Sequence, residues 1–193
     1  MQEFDANLDP FASFQSGEGA GVAELIRSFD WSATPVGAMG LWPRSLRESV
    51  ERILKERTPH FLCWGTSFVS FYNDAFAPFL GSEHPDALGK PYTTVSAAFW
   101  LQERPMIGTV MAGKSQYLEN TIVHTPSRPE RSFGRFTFVL TPVRNDGGQV
   151  EGFIAQVTEL TEPESGPMPS PGHSGDDEAL VVRAVPPKDI SHG

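Results

Sequence analysis

The sequence predicts an α+β fold, a five-stranded antiparallel sheet with short helices on one face and a helical cap at its N-terminal side. Three observations carry this. Two early segments repeat apolar residues at helical spacing, short aromatic-rich runs bounded by glycine follow, and three longer strand-like segments come after Gly113. Two strands, several short helices and then three strands is an α+β order. With 193 residues, the chain holds one domain of ordinary size plus extra segments. Its 14 Phe, 4 Trp and 3 Tyr supply enough apolar surface for an aromatic core.

Residues 1–20 carry four acidic side chains and no basic one, and are expected to be a flexible acidic N-terminus. A cap is expected over 21–58. Val22, Leu25, Ile26 and Phe29 fall on one face of a short helix, which the turn formers of Asp30 to Gly37 end. Leu46, Val50, Ile53 and Leu54 mark a second helix, with Ser45 and Glu48 as a capping box and Thr58-Pro59 as its stop. His60 to Trp64 and Ser67 to Tyr72, separated by Gly65-Thr66, read as a hairpin. Asn73-Asp74 caps a short helix over Ala75 to Leu80, and helical fragments continue, most clearly from Trp100 to Ala112. The last strands are Gln116 to His124, Phe133 to Val143 and Val150 to Thr158. The Asp146-Gly147 pair supplies the positive φ that a tight final hairpin needs.

Every aromatic residue stops at Phe153, and 162–193 contains six Pro, four Gly and four Ser, a composition that cannot offset its ordering entropy. That segment is expected to be a disordered tail. Within it, Ala179 to Val185 is an apolar island suited to adding to the sheet edge of another protein, or simply inert. The formal net charge of -9 repels phosphate backbones and anionic lipid, so neither nucleic acid nor membrane is an expected partner. No secretory or mitochondrial signal and no apolar span is present, and Cys63 is the one cysteine. A cytoplasmic protein with a buried, inert thiol is expected.

Tyr72-Asn73-Asp74-Ala75-Phe76 resembles the Y-N-x-A-F junction between the second strand and first helix of PAS sensor domains. Ala87-Leu88-Gly89-Lys90 resembles the E-L-I-G-K segment that follows, Pro142 to Gly152 is similar to the final hairpin of the family, and Glu159-Leu160-Thr161-Glu162 stands where such domains end. The resemblance covers Pro59 to Glu162 in the correct order and places the domain at 59–161. Phe29 to Gly37 followed by Trp42 to Arg47 looks like the cap before the first PAS domain of many bacterial sensor histidine kinases. The resemblance implies a stand-alone sensory or regulatory domain in bacterial signal transduction. It would act without catalysis, through small-ligand binding or pairing in trans with a histidine kinase or another PAS domain. It also implies a homodimer through the cap and the outer sheet face. The tail replaces the coupling helix of those kinases, so a sensor fragment detached from its kinase is an alternative.

Cofactor chemistry sets sharper demands. In the light-sensing LOV-type members that the resemblance brings in, a flavin adduct forms on a cysteine in the helical region, where Tyr92-Thr93-Thr94-Val95-Ser96 stands here instead, and Cys63 lies on a strand. Haem needs a strong axial nitrogen donor, and no histidine occurs from Pro85 to Val123. His84, taken as solvated, and His124, at a strand end, are weak candidates. A noncovalent flavin or a small apolar ligand remains open. Phe61, Phe71, Phe76, Phe79, Trp100, Ile122, Phe136, Phe138 and Phe153 are the candidate pocket residues; they either fill their own core or line a site. Gly108 to Ser115 also satisfies the P-loop pattern of a nucleotide-binding enzyme. That motif needs a strand before it and a helix after it, whereas here the order is reversed and Gly113 is expected to end a helix.

Overall fold

The computed structural model describes residues 21–124, 133–160 and 181–182; the acidic N-terminus and most of the tail lie outside them. Apolar stripes set the first two helices. Helix α1, Val22–Ser28, buries Val22, Ala23 and Ile26, and α2, Arg44–Lys55, buries Leu46, Val50 and Ile53 at i, i+4 and i+7. Two short 3-10 turns, Trp31–Ala33 and Met39–Leu41, join them.

Strands β1, His60–Trp64, and β2, Val69–Tyr72, pair antiparallel. The connection takes four residues instead of the expected two, with Gly65 and Phe68 both at positive φ. The helical middle comprises α3, Ala77–Leu80, α4, Tyr92–Val95, and α5, Ala97–Met111, with a 3-10 turn at Gly81–Glu83. Strands β3, Gln116–His124, β4, Phe133–Arg144, and β5, Val150–Glu159, complete the sheet in the order β2-β1-β5-β4-β3, all antiparallel. In the β4–β5 turn the positive φ falls on Gly148 rather than on Gly147, because Asn145 Oδ1 accepts the amides of both Gly147 and Gln149. Inside the segment assigned to the tail, Val181–Val182 forms a two-residue strand, β6, parallel to Ile122 and Val123 at the β3 edge.

Register assigns the two faces of the sheet. Phe71 pairs with Leu62, and Leu62 with Ile154, so these three share the outer face, under the cap. There Phe71 stacks on Trp31 at 4.8 Å and meets the edge of Trp42 at 5.4 Å. Both indoles stay hydrogen-bonded, Trp31 Nε1 to the Ile26 carbonyl and Trp42 Nε1 to that of Gly37. Phe61, Ala155, Leu140, Phe153 and Phe138 alternate onto the inner face, against α5. Gly152 leaves no room for a side chain where β5 passes β1: a Cβ there would stand 2.1 Å from the Cys63 carbonyl oxygen.

The ends of α2 are held from a distance. Pro43 is its N-cap and makes no side-chain bond, and the expected Ser45–Glu48 capping box does not form. Instead Asp146, at the tip of the β4–β5 turn, accepts the amides of Arg44 (3.2 Å) and Ser45 (2.8 Å), while Glu48 pairs with Arg44 on the exposed side. At the other end Asn73 Nδ2 donates to the carbonyls of Ile53, Glu56 and Thr58 at 2.8–3.1 Å.

Candidate functional site

Between the inner face and α3, α4 and α5 the packing leaves a cavity of about 120 Å³. Its walls are mostly aromatic and aliphatic because inward-facing strand positions alternate with outward ones. Phe61 comes from β1, Phe153 and Ala155 from β5, Phe138 and Leu140 from β4, and Leu118 and Thr121 from β3. Phe76, Phe79, Leu80 and Met106 close it from the helical side. Of the nine residues marked in the sequence, Phe61, Phe76, Phe79, Phe138 and Phe153 line this space.

The other four lie elsewhere. Phe71 is on the opposite face with Trp31, since one residue of register separates it from the inward-facing Tyr72. Phe136 is fully buried behind the wall, its ring 5.3 Å from Phe79. Trp100 packs on Phe68 and Tyr92. Ile122 pairs with Arg135 near the sheet edge, beyond a bulge between Leu118 and Thr121.

Besides Thr121 on β3, the polar part of the cavity comes from residues that no spacing marked: Tyr92, Ser96 and Glu103. Tyr92 donates its hydroxyl hydrogen to Glu103 Oε2 at 2.5 Å. Among the described residues no cationic side chain pairs with Glu103. Burial pushes its carboxyl above the usual range, and the Tyr92 bond partly opposes this. Burial, then the nearby Glu103 charge, raises both Tyr92 and Cys63 well above their ordinary values. Cys63, on β1, is fully buried, and its surroundings favour the protonated thiol over the thiolate.

His84 is not solvated as expected. It is half-buried, its Nδ1 2.9 Å from the Tyr72 hydroxyl, and burial pushes Tyr72 up to about 12. The side chain of His124 lies outside what is described. Among the described residues no group of three His, Cys, Asp or Glu side chains is placed to hold a metal ion. A second, more polar hollow of about 210 Å³ lies between the cap and the β1–β2 connection, lined by Pro35, Pro43, Thr66, Ser67 and Glu151 among others.

The segment Gly108 to Ser115 does not form a phosphate cradle. It runs from the last turn of α5 into β3. Gly113, at φ +90°, donates to the Val110 carbonyl, and Lys114 N donates to that of Thr109. These two bonds are the Schellman ending of a helix. A helix C-terminus presents carbonyls and negative potential, the opposite of what a phosphate requires.

No protein-family model matches the chain, and no curated protein matches it significantly. Solved structures similar to it include a phage VqmA–DPO complex, at 20% identity and a TM-score of 0.47 over 60% of this chain. This chain spans 53% of that one, about half its length. A sensory box sensor histidine kinase from Vibrio cholerae is similar at 12% identity and 0.43, covering 61% of this chain and 94% of the other. The PAS domain of Bordetella pertussis BvgS is similar at 15% and 0.43, covering 61% and 86%. The sheet order β2-β1-β5-β4-β3, with short helices between β2 and β3 on one face and a helical cap on the other, gives this chain a PAS-like α+β fold.

Proposed function

We propose that the chain is a PAS-type sensory or regulatory domain of bacterial signal transduction. It takes a small ligand in the inner cavity and passes the signal in trans to a partner such as a histidine kinase or another PAS domain. The supporting observation is the cavity itself: a space of about 120 Å³ with aromatic walls and one group of convergent polar side chains. Its size favours a small guest over flavin, because pockets for drug-sized ligands run to roughly 300–1,000 Å³.

Pairing runs through the cap and the outer sheet face, where Leu41 and Tyr117 are 82% and 62% exposed. Native mass spectrometry of the full chain purified from cells tests both parts. The expected spectrum shows a dimer carrying a small guest that collisional activation releases. A monomer of bare sequence mass, with no thermal stabilisation by any one-ring compound, overturns the reading.

A further inference from the structure

The cavity contains one chemical inconsistency. Glu103 is a carboxyl group set among phenylalanine rings, and its hydrogen bond from Tyr92 engages only one of its two oxygens. Because a carboxylate has about four acceptor sites, Glu103 keeps spare capacity directed at a space with no other charged side chain in its lining. A carboxylate withdrawn from water without a counter-charge is costly, and a guest cation relieves that cost. The lining is of a type that favours the same sign: it includes the rings of Phe61, Phe138 and Tyr92, and an aromatic face carries the negative side of the ring quadrupole, which attracts cations. The formal charge of -9 favours the approach of a cation from solution.

Size narrows the class further. A cavity of roughly 150 Å³ lined by apolar side chains holds benzene, so about 120 Å³ is room for one ring with at most a small substituent.

We infer that the cavity selects a monocyclic aromatic cation bearing a nitrogen donor, its ring between the phenylalanines and its N–H on Glu103. This rests on the inner cavity being a ligand site at all, and the test separates the two. The probes are 4-aminopyridine, protonated at pH 7, and its near-isosteres aniline and toluene, neutral at that pH. Each is titrated into the full chain by calorimetry.

The cation is expected to bind at least tenfold more tightly than either neutral ring. Glu103→Gln, which keeps the shape and removes the charge, is expected to abolish that preference while aniline and toluene still bind. Equal affinity for all three rings in the unaltered protein overturns the assignment of ligand class and leaves the cavity as a site for neutral guests. Binding of none of them overturns the cavity as a ligand site, and this assignment with it. The comparison within the unaltered protein decides the matter even if the variant fails to fold.

Discussion

Asn73 uses both ends of its amide inside the fold. Its Oδ1 accepts from the amides of His60 and Phe76, and its Nδ2 faces three carbonyls at the end of α2. It is 1% exposed, and its bonds from the His60 amide and to the Ile53 carbonyl are buried, so water does not reach those two groups. Each stranded buried group costs about 1–3 kcal/mol, and Asn73→Ala is expected to destabilise the protein by about 3 kcal/mol or more in urea unfolding. A loss under about 1 kcal/mol would show that these groups find other partners. The expected cap of a helix over Ala75 to Leu80 forms differently: Asn73 Oδ1 accepts the Phe76 amide in the turn before the helix, while α3 begins at Ala77 with Phe76 as an N-cap that makes no side-chain bond. That Asn73 also closes a helix some twenty residues earlier was not legible in the sequence, since a cap bridging two elements leaves no local pattern. Phe61 and Phe71 differ in the same way. Both are aromatic strand residues, but only register says which face each takes. Glu103 had no signal at all: in Leu101-Gln102-Glu103-Arg104 it looks like any solvated helical carboxylate.

Helix α2 joins the cap to the sheet through borrowed ends, which explains why the Ser45–Glu48 reading failed. The missing local cap is supplied by Asp146, about a hundred residues on. The neighbouring Ser45 hydroxyl, which makes no well-formed bond of its own, and the Ser45 and Arg44 amides hold the Asp146 carboxyl below its ordinary 3.8. A depressed carboxyl stabilises the fold above its unfolded value and loses that contribution as pH falls through the lower native value. Asp146→Ala is therefore expected to lower the thermal midpoint at pH 7, with the gap to the unaltered protein closing below pH 3.8. A gap independent of pH would assign the effect to something other than charge. At the far end of the helical region, Gly113 and Lys114 invite opposite expectations under the two readings of their motif. In a Schellman ending the glycine conformation matters and the lysine side chain does not. Gly113→Ala, at φ +90° and with Arg144 Nη2 3.3 Å from the added carbon, is expected to cost about 1 kcal/mol or more. Lys114→Ala is expected to stay within about 0.5 kcal/mol in the same denaturation series. A nucleotide affinity that Lys114→Ala abolishes would restore the phosphate-loop reading.

The whole molecule is a sheet with two different coverings. On the outer face the cap packs closely over the middle of β1 and β2, with Trp31, Leu46, Val50, Ile53 and Phe71 all at 0–2% exposure, and the polar hollow stays at the β1–β2 connection. On the inner face the helices stand off enough to leave a space. The change from helical to strand periodicity made the element order legible, and the glycines and prolines placed most boundaries. Whether the aromatic interior closes on itself was not legible, because phenylalanines that fill a core and phenylalanines that line a cavity form the same strand pattern. The difference lies in the spacing of α3 and α5 from the sheet. Ala155 probes that spacing, because it sits on β5 between Phe61 and Leu140 and borders the cavity. A larger side chain forced into a packed core costs about 1–3 kcal/mol, whereas one entering an existing void gains contacts and loses little. Ala155→Leu is expected to leave stability within about 1 kcal/mol of the unaltered protein, or raise it, and to eliminate the binding of one-ring guests. Destabilisation by more than that, measured by urea unfolding alongside guest titration, would mean that the rings already meet and the space is not there.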